Sequence, residues 1–206
     1  MKTRTRHVVC WIEPYFDLID VATFCHVLSV AGSNWNWRPY RLSLASQLGG
    51  LVTSRSQVSL LTVPLTACDA PDVVILGPGE LERELDGQDA LFASWREADP
   101  VWVTLSNSTS TLLRLNLPTS TLAVSASRQA QVQSLAPHIE LAAKDFHFDA
   151  QVLSCSTLDV LPAALALIER QIGRSARRFV ETQMGLTSNT LDVAGIDLRG
   201  LGKVGP

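Results

Sequence analysis

Val101-Trp102-Val103-Thr104-Leu105-Ser106-Asn107-Ser108-Thr109-Ser110-Thr111-Leu112-Leu113 runs from an apolar stretch through a hydroxyl-rich turn into a second apolar pair. Val101 to Leu105 has the near-continuous hydrophobicity of a strand covered on both faces. The polar residues that follow cannot extend such a strand. They suit a sharp turn whose serines and threonines cap the next helix. A strand buried on both sides and followed at once by a helix is the repeating unit of a parallel sheet, so this stretch predicts the fold class.

Working outward, two further stretches repeat the pattern. Asp72 to Leu76 (DVVIL) is an apolar run stopped by Gly77-Pro78-Gly79, and His7 to Ile12 (HVVCWI) is a β-branched run ended by Glu13-Pro14. After the latter, Leu18, Val21, Ala22, Cys25 and Leu28 recur at helical spacing, with Asp17 placed to cap the start and Gly32 to close the end. Tyr40 to Ala45 alternates as a strand, Gly49-Gly50 marks a turn, and Leu51 to Thr62 carries further short strands. Glu80 to Glu97 favours helix with a break at Gly87, and Asp99-Pro100 ends it.

On the C-terminal side, Thr121 to Ser125 reads as a short strand and Arg128 to Leu135 as a helix. Ile139 to Ala142 and Gln151 to Ser154 read as the last strands. Thr157 is placed to cap a long amphipathic helix to Ile172, which tolerates Pro162 only in or near its first turn. Gly173 breaks that helix, and Ser175 is the expected cap of a second one through Arg177 to Met184. The prediction is an α/β fold with a doubly wound, mostly parallel sheet and helices on both faces, three-layered and flavodoxin-like. Residues 1–185 form one domain, and 186–206 a glycine-rich flexible tail. In such sheets ligands bind outside the carboxyl ends of the strands, so the turns after Ile12, Leu76 and Leu105 are the ones to watch.

Composition narrows the function classes. The chain has 206 residues, enough for one domain with a real core, and its net charge of −3 supplies no electrostatic reason to bind a phosphate backbone. No stretch approaches the roughly 20 apolar residues that span a bilayer. The basic start Met1 to Arg6 and the run Val8 to Ile12 are cut short by Glu13, Pro14 and Asp17, so a signal peptide is not expected and a cytoplasmic setting is. Cys10, Cys25, Cys68 and Cys155 are far apart in sequence and lack companion histidines, which signals neither a zinc site nor a disulfide framework.

Four segments together resemble the ThiJ/PfpI branch of the class I glutamine amidotransferase-like superfamily. Pro14-Tyr15-Phe16-Asp17-Leu18-Ile19-Asp20-Val21-Ala22 is similar to the family's P-G-F-x-x-L-D-x-x-G motif, with Tyr15 in place of its glycine. Asp72 to Gly79 resembles the strand ending in P-G-G, with Pro78 where the first of those glycines falls. Val101 to Leu117 resembles the strand, nucleophile elbow and helix, and Ser154 to Leu167 the late T-S-x-G-x-x-A-x-I-D-L-A-L segment. The likeness spans residues 7 to 185. It is nearest to the amidotransferase-like domain that precedes the DNA-binding helices of many AraC-type transcription regulators.

The departures from the family fall on its chemistry. Its elbow cysteine aligns with Ser106, and the histidine of its T-T-H-W motif falls within Val124-Ser125-Ala126-Ser127, at Ala126. A serine hydroxyl needs an adjacent base to become nucleophilic, so Ser106 without that histidine is a poor nucleophile. Asp20 matches the acidic residue that sits near the cysteine in active relatives. Gly79 retains an N–H that suits a carbonyl or anionic oxygen. Asp20, Gly79, Ser106 and Asn107 therefore form the candidate ligand pocket, with no catalytic residue, metal or cofactor assigned.

Other polar groups have simpler readings. His26 neighbours Cys25, but adjacent helical residues point apart. His138, His147 and Asp149 supply no metal-ligand spacing and read as a solvated loop. Arg170 to Arg178 reads as a solvated basic face, and the chain shows no helix-turn-helix of its own, so no direct nucleic-acid binding is expected. Three functions compete. The first is a catalytically silent sensing or dimerising domain of a transcription regulator, with an unknown small molecule as partner and no membrane. The second is a hydrolase, hydratase or amidase using Asp20 with Ser106 or an activated water. The third is a stress-related relative with a redox cysteine. The resemblance implies a homodimer, with spare apolar surface expected on the late helices.

Overall fold

The runs read as buried strands lie side by side through the centre of the molecule. The computed structural model describes residues 4–33, 38–77, 79, 89–105, 108–156 and 159–186. In chain order its elements are β1 (Arg6–Ile12), α1 (Leu18–Val30), β2 (Tyr40–Ser46), β3 (Gly50–Thr53), β4 (Ser59–Pro64), a 3-10 turn (Leu65–Ala67), β5 (Val73–Gly77), α2 (Asp89–Glu97), β6 (Val101–Thr104), α3 (Thr109–Arg114), β7 (Thr121–Leu122), α4 (Ala126–Leu135), β8 (Glu140–Leu141), β9 (Phe146–Asp149), β10 (Val152–Cys155), α5 (Val160–Gln171) and α6 (Arg174–Gln183).

The main sheet has the order β3-β4-β2-β1-β5-β6-β10-β9, and β7 pairs with β8 in a small parallel ribbon. From β4 to β10 the pairings are parallel; β3 and β9 run antiparallel at the two edges. Alternation along β1 divides the core. Val8, Cys10 and Ile12 face one layer with Phe24 and Val27 of α1, Ala163 and Leu167 of α5 and Val180 of α6. Val9 and Trp11 face the other, with Phe92 and Trp95 of α2, Leu112 of α3 and Val132 of α4. The three-layer α/β prediction stands.

Local chemistry explains the helix ends. The Asp17 carboxylate accepts the Ile19 and Asp20 N–H groups at 3.0 and 3.2 Å, the expected cap of α1. The far end closes at Ala31 rather than Gly32, whose N–H turns back to Ser29 O. Pro162 is the third residue of α5, where no N–H is required. The cap of α6 is Gly173, at φ 114°, and Ser175 lies inside the first turn. That corrects the expected cap, since only the glycine fits the reversal between α5 and α6. His147 and Asp149, read as part of a solvated loop, instead lie on the edge strand β9. The expected Thr157 cap, the stretch 80–88 of the expected helix and the tail from 187 onward lie outside the described residues. Among the described residues no helix is long and apolar enough to cross a membrane.

Candidate functional site

The strand order reverses between β1 and β5, so the crevice at their carboxyl ends is the natural ligand position. One wall is the turn from β1 to α1. Tyr15 stands at φ 67°, a left-handed conformation that favours glycine, at the position where the resembled motif carries one. Its N–H donates to Thr53 O at 2.9 Å and the Arg55 N–H to Phe16 O at 3.1 Å, which ties the turn to the β3–β4 hairpin. The facing wall follows β5. A Cβ added to Gly79 would sit 2.2 Å from Pro14 O and 2.5 Å from the Tyr15 carbonyl carbon, so the two backbones are in direct contact.

Gly79 packs against Pro14 and Tyr15, and the turn they form leads into α1, which carries Asp20. Asp20 lies on the first turn of α1, only 3% exposed, near enough to Cys155 at the end of β10 for its charge to act on that thiol. Ser106 and Asn107 lie outside the described residues. The residues flanking them are fixed: Leu105 N–H donates to Leu76 O at 3.2 Å, and Ser108 N–H to Leu105 O at 2.7 Å.

Ser108 occupies the N-cap position of α3 without capping it. Its single hydroxyl proton serves two carbonyls, Leu76 O at 2.5 Å and Leu105 O at 2.6 Å, while Thr104 Oγ1 is 3.1 Å away. The expected Ser/Thr cap is therefore replaced by a clasp between the ends of β5 and β6. The register also aligns Leu76, Thr104, Ser154 and His147 across four strands. Ser154 Oγ accepts the Ala123 N–H at 2.8 Å.

Glu13 escaped the sequence reading, which took it only as a strand breaker. It is 8% exposed, and its Oε1 accepts the Trp11 indole N–H at 2.8 Å and the Gln47 N–H at 2.6 Å. The signal was a tryptophan two residues before a glutamate at a strand end. Asp149 is likewise occupied. Its Oδ2 accepts the N–H groups of Ser120 and Thr121 and the hydroxyls of Thr119 and Ser120. Those bonds, the Ser120 N–H foremost, hold its carboxyl down to about 2. His26 and His138 are exposed, and among the described residues no three His, Cys, Asp or Glu side chains converge as metal ligands.

The thiol near Asp20 is poorly suited to attack. Cys155 Sγ donates to Thr104 O at 3.6 Å. Burial pushes its pKa far up, and the charges of Asp20 and Asp159 push it further. A thiol kept protonated is neither a nucleophile nor a ligand. What the described region offers is a buried carboxylate beside closely packed backbone, which is hydrogen-bonding chemistry.

Known structures share this architecture. An AraC family transcriptional regulator from Pseudomonas putida matches with a TM-score of 0.76 at 18% identity, covering 87% of this chain and 99% of its own. DJ-1beta from Drosophila melanogaster matches at 0.72 and 18%, covering 88% of this chain and 98% of its own. The chain has the ThiJ/PfpI fold. A ThiJ/PfpI domain protein from Brachyspira murdochii matches at 0.66 and 11%, covering 80% and 95%. The resemblance drawn from the four motifs is borne out at the level of this fold. No family model and no curated protein matches the sequence.

Proposed function

We propose that this chain is a ThiJ/PfpI-fold module that senses a small molecule and pairs with a second copy, of the kind attached to AraC-type regulators, and that it does not carry out acyl transfer. The observation that supports this most is the pairing of buried Asp20 with a neighbouring thiol, Cys155, that burial keeps protonated. A carboxylate in that setting orients a ligand through hydrogen bonds. It does not activate a nucleophile that is itself bonded to the Thr104 carbonyl.

The ligand class follows from Asp20 as an acceptor: a small amide, amine or polyhydroxylated compound that donates to the carboxylate. A thermal-shift panel of such compounds on the wild-type chain and on Asp20→Asn tests it. At a hundredfold excess over Kd, one class should raise the wild-type Tm by about 5–10 °C and leave the variant unmoved. Equal shifts in both proteins, or none at millimolar concentration, would sink the reading.

Pairing is assigned to the β3–β4 hairpin. Leu51 and Leu61 are cross-strand neighbours, each 74% exposed, and Val63 on the same strand is half exposed. The late helices do not have this character, because the large exposed apolar side chains among the described residues include none from α5 or α6.

A further inference from the structure

The end of α1 and the start of β2 bound a cavity of about 860 Å³ at the amino ends of the strands, away from the crevice. It is lined by Leu28 near the end of α1, by Gly32 beyond it, and by Arg38, Tyr40, Arg41 and Leu42 at the start of β2. The frame is held by several bonds. The Arg6 N–H donates to Pro39 O at 2.8 Å, the Thr5 hydroxyl to Arg38 O at 2.8 Å, and the Tyr40 hydroxyl to Gln171 Oε1 at 3.0 Å. Two arginines line the cavity and, among the described residues, no carboxylate does. Arg41 meets Asp69 only in a 3.5 Å contact in which both side chains are exposed. The charge of the lining is therefore of one sign, and its size is that of a binding site.

The same stretch of β2 is an open strand edge. In the parallel register Arg6↔Tyr40 and Val8↔Leu42, the bond from Arg6 N–H to Pro39 O turns the amide groups of Arg41 and Ser43 toward β1. Those of Tyr40 and Leu42 point the opposite way. The strand on that side, β4, pairs with β2 only at Ala45 and Ser46. Among the described residues no backbone bond reaches Tyr40 or Leu42 from there. Two N–H and two C=O groups thus stand ready to template another strand, next to two arginines.

We propose that this edge binds an extended acidic segment of a partner protein as an added strand. The backbone of the segment exchanges hydrogen bonds with Tyr40 and Leu42, and its carboxylates meet Arg38 and Arg41 in charge-assisted bonds. Leu42, exposed beside the edge, packs on an apolar side chain of the segment. The two features select one occupant. A compact organic anion would use the arginines and leave the strand edge unmatched, whereas a neutral strand would match the edge and leave the charge. The site lies at the opposite end of the strands from Asp20 and does not depend on what the crevice binds.

The test follows the fluorescence anisotropy of a labelled peptide, acetyl-Glu-Val-Thr-Val-Glu-amide, as the whole chain is added. Its counterpart with lysines for glutamates tests the charge. Two N-methylated versions, one for each alternate set of amides, separate an added strand from a purely electrostatic contact, because only one set of N–H groups faces β2. Free glutamate, as a competitor, stands for a small anion. The acidic peptide should bind saturably. Binding should weaken about tenfold or more for the lysine peptide, for at least one N-methylated version, and for Arg38→Glu, whose exposed side chain leaves the fold intact by thermal melt. No binding at millimolar peptide, equal binding of the lysine peptide, undiminished binding of both N-methylated versions, glutamate competing as well as the peptide itself, or undiminished binding to Arg38→Glu overturns the proposal.

Discussion

Gly79 is the residue on which the crevice depends most directly. Nothing in its backbone conformation demands glycine, but a methyl group there would meet Pro14 O at 2.2 Å, and backbone atoms cannot swing aside. Gly79→Ala should therefore cost about 3 kcal/mol in a urea melt, whereas a loss under about 0.5 kcal/mol, the usual range for a surface site, would mean that the contact is loose. Asp149 acts through charge. Its folded pKa is about 2 and its unfolded value about 3.9. Its stabilisation is thus fully present above the unfolded value and is lost as pH falls from about 5 to about 2. At this half-buried site screening limits the effect to about 1 kcal/mol. Asp149→Asn should flatten that part of the stability–pH curve, and an unchanged acid limb would contradict the assignment. At this scale the sequence was only partly legible. The Asp17 cap was readable because its partners lie within three residues, whereas the Ser108 hydroxyl bonds Leu76, 32 residues away, and no local pattern reveals that.

Among the elements, legibility followed burial. The strands β1, β5 and β6 are covered on both faces, so their apolar runs announce them. Phe146 to Asp149 is four residues at the sheet edge, half-buried throughout, and its alternation of two phenylalanines with polar residues is too short to stand out. The boundary between α5 and α6 was displaced for another reason: Ser175 is a good cap by composition, but the reversal selects Gly173 at φ 114°. The β3–β4 hairpin carries a prediction of its own. Its two exposed leucines make it the expected contact between copies, so sedimentation velocity should find a dimer for the wild type and a monomer for Leu61→Glu. A wild-type monomer at tens of micromolar, or a variant that still dimerises, would move the interface elsewhere.

For the whole molecule, doubly wound topology carries the argument from sequence to site. Alternating strands and helices predicted the layers, and the reversal between β1 and β5 packs Gly79 against the Pro14–Tyr15 turn that leads into the helix of Asp20. The central claim is that this region binds and does not turn over acyl substrates. Product release from p-nitrophenyl acetate and from a small primary amide, measured for the wild type, Asp20→Asn and Ser106→Ala, tests it most directly. The account predicts rates equal to buffer for all three proteins, and wild-type turnover that falls a hundredfold or more in either variant would contradict it.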